Sequence, residues 1–205
     1  MDLGPSDKVR PILKEVKFFI DNEILPLEGE YFDEVDKGDR WQYTERQTEI
    51  LETLKEKARS KNLWNFFLTH WEGGYGLNTV EYAYVAEETG RSHLAPEVFN
   101  CSAPDTGNME TLARFGTSEQ KRTWLQPLLD GQIRSCFCMT EPDVASSDAT
   151  NIQTEILRDE TTGEYVINGR KWWITGAGSM HTKLCILMGR IKHSPQDEGV
   201  QSVIH

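Results

Sequence analysis

The stretch Trp124-Leu125-Gln126-Pro127-Leu128-Leu129-Asp130-Gly131-Gln132-Ile133-Arg134-Ser135-Cys136-Phe137-Cys138-Met139 changes its period in the middle. Up to Leu129 it reads as the end of a helix, and Gly131 stands where a helix C-terminus favours glycine. From Arg134 to Met139 residues alternate as in a strand. Working back from Gly131, every strong pattern is helical. Val9, Ile12, Leu13, Val16, Phe19, Ile20 and Ile24 recur at three- and four-residue steps, with Ser6 as a cap and Pro26 as a stop. Tyr31 to Tyr43 is charged and irregular, which predicts a surface loop. Thr44-x-x-Gln47 is a capping box opening a helix to about Arg59. A glycine-rich turn, His70 to Gly76, precedes a helix that opens at Asn78 or Thr79. Further helices are predicted over 96–105, 106–115 and 118–129, the last capped at Ser118.

Working forward, Ile152 to Leu157 and Leu184 to Met188 read as strands. Glu164 to Ile167 and Lys171 to Ile174 flank Asn168-Gly169, a hairpin signal. Val200 to Ile204 begins another strand, which would leave an unpaired sheet edge. The predicted class is α+β. A helical domain over 1–130 is followed by a mostly antiparallel β domain over 131–205.

Composition removes several function classes. The net charge of −11 disfavours nucleic acid, whose phosphates need clustered Lys and Arg. No apolar run approaches the roughly 20 residues of a membrane span. Neither the first residues nor Val203-Ile204-His205 read as a targeting segment. Four cysteines fit a reduced intracellular protein. Cys136 and Cys138 point to one face of a strand, and no second pair completes a zinc site, so no metal is expected.

Two segments could carry chemistry. Phe137 to Asp148 runs from a strand into small and hydroxylated residues, whose backbone N–H groups can approach a phosphate. Read plainly, it is a strand end and a polar turn. Gly169 to Ser179 places Trp172 and Trp173 beside Thr175, an indole and a hydroxyl that could flank a planar cofactor. Read plainly, the two tryptophans are one core residue and one cover residue on opposite strand faces.

Together these segments resemble the two signatures of the acyl-CoA dehydrogenase family. The turn Trp71 to Leu77 followed by Ala86-Glu87-Glu88, and Phe115-Gly116-Thr117-Ser118-Glu119-Gln120-Lys121 followed by Trp124-Leu125 and Pro127 to Gly131, are similar to further family motifs. The details are most similar to family members ten and eleven. The resemblance implies FAD as cofactor, with Phe137, Met139 and Thr140 beside the flavin's pyrimidine side. Trp173 and Ile174 lie along the ring, and Thr175 is placed to bond flavin N5. Ser146 and Ser147 fall at the pyrophosphate, and Ser147 also at the acyl-CoA substrate. The family's Thr-Glu-Pro run is one residue longer here, which leaves open how Ser146 and Ser147 are placed against the family's Gly-Ser pair.

The implied reaction, a step of fatty-acid β-oxidation, takes an α proton to a carboxylate and a β hydride to the flavin. The resemblance puts that base in a carboxyl-terminal helical domain beyond His205. No residue here is expected to serve as base, and the chain alone is expected to be inactive. The family also implies electron-transfer flavoprotein as acceptor, a homo-oligomer, and a mitochondrial or peroxisomal setting. An acyl-CoA oxidase-like flavoenzyme or an interaction module that has lost FAD are the alternatives.

Overall fold

The computed structural model describes residues 4–39, 41–68, 74–192 and 200–204, the last five by their backbone alone. Most of the predicted glycine-rich turn and the stretch 193–199 lie outside them. Among the described residues, no helix is long and apolar enough to cross a membrane. The chain forms two compact units, residues 1–106 and 107–205.

In the first unit, helix α1 (Val9–Phe19) continues through a π turn (Ile20–Ile24) into α2 (Leu25–Val35). Pro26 therefore does not stop the helix, and the predicted loop from Tyr31 is helical to Val35, with Tyr31 buried. A proline lacks an N–H, and its ring meets the carbonyl four residues back. The wider π turn just before it removes that conflict. The same arrangement recurs in the second unit, where a π turn (Lys121–Leu125) precedes Pro127.

The capping box of α3 (Glu45–Ser60) forms as read. Gln47 N–H donates to the Thr44 hydroxyl at 3.1 Å, and Thr44 N–H donates to the Gln47 side chain at 3.0 Å. Helix α4 (Thr79–Thr89) has an equivalent box between Asn78 and Glu81. Glu81 also accepts from the Ser6 hydroxyl, which ties the start of the chain to α4. The predicted helix over 96–105 shortens to α5 (Ala95–Val98). These elements bury Val16, Phe19, Ile24, Leu51, Leu54 and Phe66 around Phe99.

In the second unit, α6 (Asp105–Phe115) is followed by the short α7 (Ser118–Gln120) and α8 (Gln126–Leu129). The cap of α7 is Thr117, one residue before the expected Ser118, because Gln120 returns its side chain to the Thr117 N–H. After α8, Gln132 N–H donates to the Pro127 carbonyl and Gly131 N–H to Leu128, with Gly131 at φ +65°. That pair of bonds is a Schellman ending.

Among the described residues five strands follow: β1 (Arg134–Cys138), β2 (Glu155–Arg158), β3 (Tyr165–Asn168), β4 (Thr182–Lys192) and β5 (Val200–Ile204). The order is β1-β4-β2-β3, and β5 pairs with the second half of β4. The sheet is mixed, which corrects the mostly antiparallel expectation: β1 and β2 both run parallel to β4. Alternation in sequence gives the face of each side chain; strand direction comes from connections that alternation does not encode.

The hairpin also differs from its prediction. Tyr165–Asn168 pairs with β2, and Lys171 to Ile174 forms no strand. The turn lies at Asp159–Glu164. There the Asp159 carboxylate accepts from Thr161 N–H at 2.8 Å, and Gly163 takes φ +73°. Gly169 serves close approach instead: a Cβ there would lie 2.3 Å from the Thr154 hydroxyl oxygen. Cys136, Cys138, Ile156 and Ile186 are buried on the sheet. Asn108 of α6 donates to the Ser135 hydroxyl at 2.8 Å, which holds α6 against β1.

Candidate functional site

Beyond β1 the chain leaves the sheet through residues 139–148, and the segment after β3 comes back alongside it. Trp172 N–H donates to the Thr140 carbonyl at 3.1 Å. The Lys171 ammonium donates to the Met139 carbonyl at 2.9 Å and to Glu141 Oε1 at 2.8 Å. The two sequence segments are therefore bonded to each other.

Glu141 is the hub of this junction. Its side chain is 4% exposed and that of Lys171 is 10% exposed. Oε1 also accepts from Thr154 N–H at 2.9 Å and from the Thr154 hydroxyl at 2.6 Å, while Oε2 accepts from Gln153 N–H at 2.7 Å. Burial alone would raise the carboxyl. The bonds from Lys171, Thr154 and the two backbone N–H groups outweigh burial and hold it at about 2, against an ordinary 4.5. Glu141 stays ionised, with both oxygens bonded, and holds the junction together. Lys171, Gln153 and Thr154 were not foreseen. A lysine beside two tryptophans is the one local signal, since a buried ammonium requires a partner.

The loop is closed from within by Ser146. Its hydroxyl accepts from Glu141 N–H at 2.7 Å and is buried, whereas the neighbouring Ser147 is exposed. The Asp148 carboxylate accepts from Thr150 N–H and hydroxyl at 2.9 and 2.6 Å. Phe137, Met139 and Thr140 are half-buried along β1 and its exit.

Trp172 and Trp173 are both exposed, by 43% and 81%, so the one-in, one-out expectation fails. The reason is local. Lys171 is drawn to Glu141, Trp172 is pinned to Thr140, and Trp173 turns into the left-handed region at φ +53°. That conformation is an outlier for a bulky residue and costs about 1–3 kcal/mol. The two indoles lie 5.8 Å apart at 58°. Ile174 is half-buried and Thr175 exposed. A tight turn follows, closed by the Thr182 hydroxyl donating to the Gly176 carbonyl at 2.8 Å.

A flavin nucleotide fits these residues in kind. A large indole held in water at a conformational cost offers a face for a planar ring. Thr175 and Ser147 offer exposed hydroxyls. The described contacts join Met139, Thr140 and Glu141 to Lys171 and Trp172, and none of them joins Ser147 to Thr175.

Comparison with known proteins gives the same grouping. Residues 6–132 match the model of the acyl-CoA dehydrogenase N-terminal domain, and residues 136–204 match that of the middle domain. Acyl-CoA dehydrogenase family member 11 of Gallus gallus is 50% identical over 189 residues, which is 92% of this chain and 24% of that protein. Family member 10 of Mus musculus is 49% identical over 192 residues, 91% of this chain and 17% of that protein. A solved structure from Mycobacterium abscessus, described as an acyl-CoA dehydrogenase, superposes with a TM-score of 0.86 at 45% identity. It matches 98% of this chain, which spans 50% of that one. An acyl-CoA dehydrogenase of Bacillus anthracis complexed with FAD shares the fold, with a TM-score of 0.63 at 24% identity over 98% of this chain and 32% of that one. The chain thus spans about a quarter or less of these curated relatives and half or less of these solved chains. Two bonded motifs, an exposed indole beside them, and domain matches along nearly the whole length converge: this chain belongs to the acyl-CoA dehydrogenase family.

Proposed function

We propose that residues 137–175 are the flavin-facing part of an FAD-dependent enzyme that dehydrogenates acyl-CoA thioesters, the helical part running to about residue 130 and the sheet part from 131. The observation that carries this reading is the bonded junction of the two motifs, with the Trp173 indole left in water beside it. Trp173 and Ile174 would lie along the isoalloxazine, and Thr175 would donate to its N5. Phe137, Met139 and Thr140 would border the pyrimidine side. Ser146 already serves Glu141, which favours Ser147 as the hydroxyl facing pyrophosphate and acyl-CoA.

FAD, when bound, supplies the acceptor for the β hydride. The chain's own residues would orient and shield it. Lys171 and Glu141 hold the two edges in register; Trp173 covers apolar ring surface from water. Glu141 is not the base. A carboxylate held near 2 that already accepts four hydrogen bonds is a poor base for an α proton. On family resemblance, the base is proposed to come from outside these 205 residues. Electron-transfer flavoprotein as acceptor, a homo-oligomer and a mitochondrial or peroxisomal setting rest on family resemblance alone.

The test is an FAD titration followed by an assay of electron transfer from an acyl-CoA to an artificial acceptor. The 205-residue chain is expected to bind FAD weakly and to show no turnover. Without a positioned base, proton abstraction loses a factor of about 10²–10⁴. Turnover by this chain that disappears in Glu141→Gln would overturn the reading of the base. FAD binding unchanged in Trp173→Ala and Thr175→Val would overturn the reading of the site.

A further inference from the structure

Three of the four cysteines meet at one point of the sheet, and the flavin reading uses none of them. Cys136 and Cys138 stand two residues apart on β1, and their sulfurs lie 3.7 Å from each other. Cys185 of β4 is the register partner of Cys136, with its sulfur 2.9 Å from that of Cys136. All three sulfurs fall within 4.8 Å of one another. Sequence spacing joins only the first two; the parallel pairing of β1 with β4 supplies the third.

We propose that Cys136, Cys138 and Cys185 form a three-thiolate site for a thiophilic closed-shell metal ion such as Cu(I), Zn(II) or Cd(II). Thiolate-rich sites select such ions over hard cations. A metal–sulfur bond of about 2.3 Å at tetrahedral angles sets sulfurs about 3.8 Å apart. The Cys136–Cys138 spacing already meets this. Cys185 would move away from Cys136 by roughly 0.9 Å to reach the same spacing. As the exposed member it has the room, and it also opens the path by which an ion enters. The fourth position would be left to solvent or a small ligand.

Charge and protonation are consistent with this. Burial pushes the Cys138 thiol up, and the Lys171 cation acts in the opposite direction on the same sulfur. That cation would offset part of the negative charge of three thiolates. Burial likewise raises Cys136. An ion must therefore displace protons that Cys136 and Cys138 hold, so affinity should rise with pH. A simple Cys136–Cys185 disulfide is the competing use of the close pair. It would need an oxidant such as peroxide, whereas metal binding needs only loss of protons. It would also leave Cys138 without a role.

The experiment titrates the reduced 205-residue chain with Cd(II), and separately with Cu(I), following the thiolate-to-metal charge-transfer band. One equivalent is expected, with proton release and tighter binding at higher pH. Each of Cys136→Ser, Cys138→Ser and Cys185→Ser should weaken binding by about 100-fold or more, beyond the 10–100-fold typical of outer-shell losses. Cys101→Ser should leave it unchanged. Wild-type protein supplies a readout that no variant can spoil by misfolding: peptide mapping after iodoacetamide should find the exposed Cys185 alkylated in the metal-free chain and protected with metal bound. Binding that survives Cys138→Ser, or Cys185 alkylated equally with and without metal, would overturn the proposal. So would a Cys136–Cys185 disulfide forming under mild peroxide in a chain that, when reduced, holds no ion.

Discussion

Glu141→Gln tests the junction most directly, because glutamine keeps the shape and removes the charge. The carboxylate takes three donors on Oε1 and one on Oε2. An amide offers one acceptor oxygen and an NH2 group. In either orientation the NH2 faces an N–H or ammonium donor, and the buried Lys171 ammonium keeps the Met139 carbonyl but loses its counter-charge. Removing one partner of a buried pair costs about 3–5 kcal/mol. The carboxyl's displacement from 4.5 to about 2 reflects the same bonds, and about 2.5 pKa units correspond to a similar order, about 3 kcal/mol.

The sign of the pH dependence follows. A depressed carboxyl contributes stability that is complete above its unfolded value of 4.5 and is lost as pH falls toward about 2. Urea unfolding should therefore find Glu141→Gln less stable than wild type by about 3 kcal/mol near pH 6. The deficit should shrink by about 2 kcal/mol on going to pH 3. Adding Lys171→Met should recover at least about 1 kcal/mol, since it removes the stranded ammonium. Amide exchange at Gln153 and Thr154 should rise in the single variant, locating the loss. A deficit below about 1 kcal/mol, or one that does not change with pH, would refute the assignment of Glu141 as an ionised hub.

Trp173→Gly should raise the melting temperature or leave it unchanged, because a left-handed φ suits glycine, while weakening FAD binding; a clear loss of stability would show the indole to be structural. Gly169→Ala should destabilise by about 1–3 kcal/mol against the Thr154 backbone and side chain, more than Gly163→Ala at the true hairpin turn, at about 1 kcal/mol; thermal unfolding showing the reverse order would restore the turn to Asn168-Gly169. Thr44→Ala and Asn78→Ala should each cost about 1 kcal/mol in urea unfolding through loss of a capping box.

What could be read from sequence was local. The caps at Thr44 and Asn78, the change of period at Gly131 and the shared face of Cys136 and Cys138 each depend on residues a few positions apart. The failures share a cause as well. Pro26 looks like a stop until the π turn at Ile20–Ile24 is known, and no residue type marks a π turn in advance. Asn168-Gly169 has the composition of a hairpin turn, yet the glycine answers to Thr154, fifteen residues upstream and across the sheet.

The same distinction separates the two halves of the candidate site. Thr140, Ser147, Trp173 and Thr175 were named through family motifs, and their exposure or half-burial is what a ligand-facing residue requires. Lys171, Thr154 and Cys185 act through partners thirteen to forty-nine positions away in sequence. A sequence pattern fixes which way a strand residue faces but leaves open which strand lies beside it. Once β1 is set parallel to β4 and the segment after β3 is brought against residues 139–141, both unforeseen clusters follow from that one arrangement. A change to Lys171 should then disturb both: it would strand Glu141 and also remove the cation that acts on Cys138.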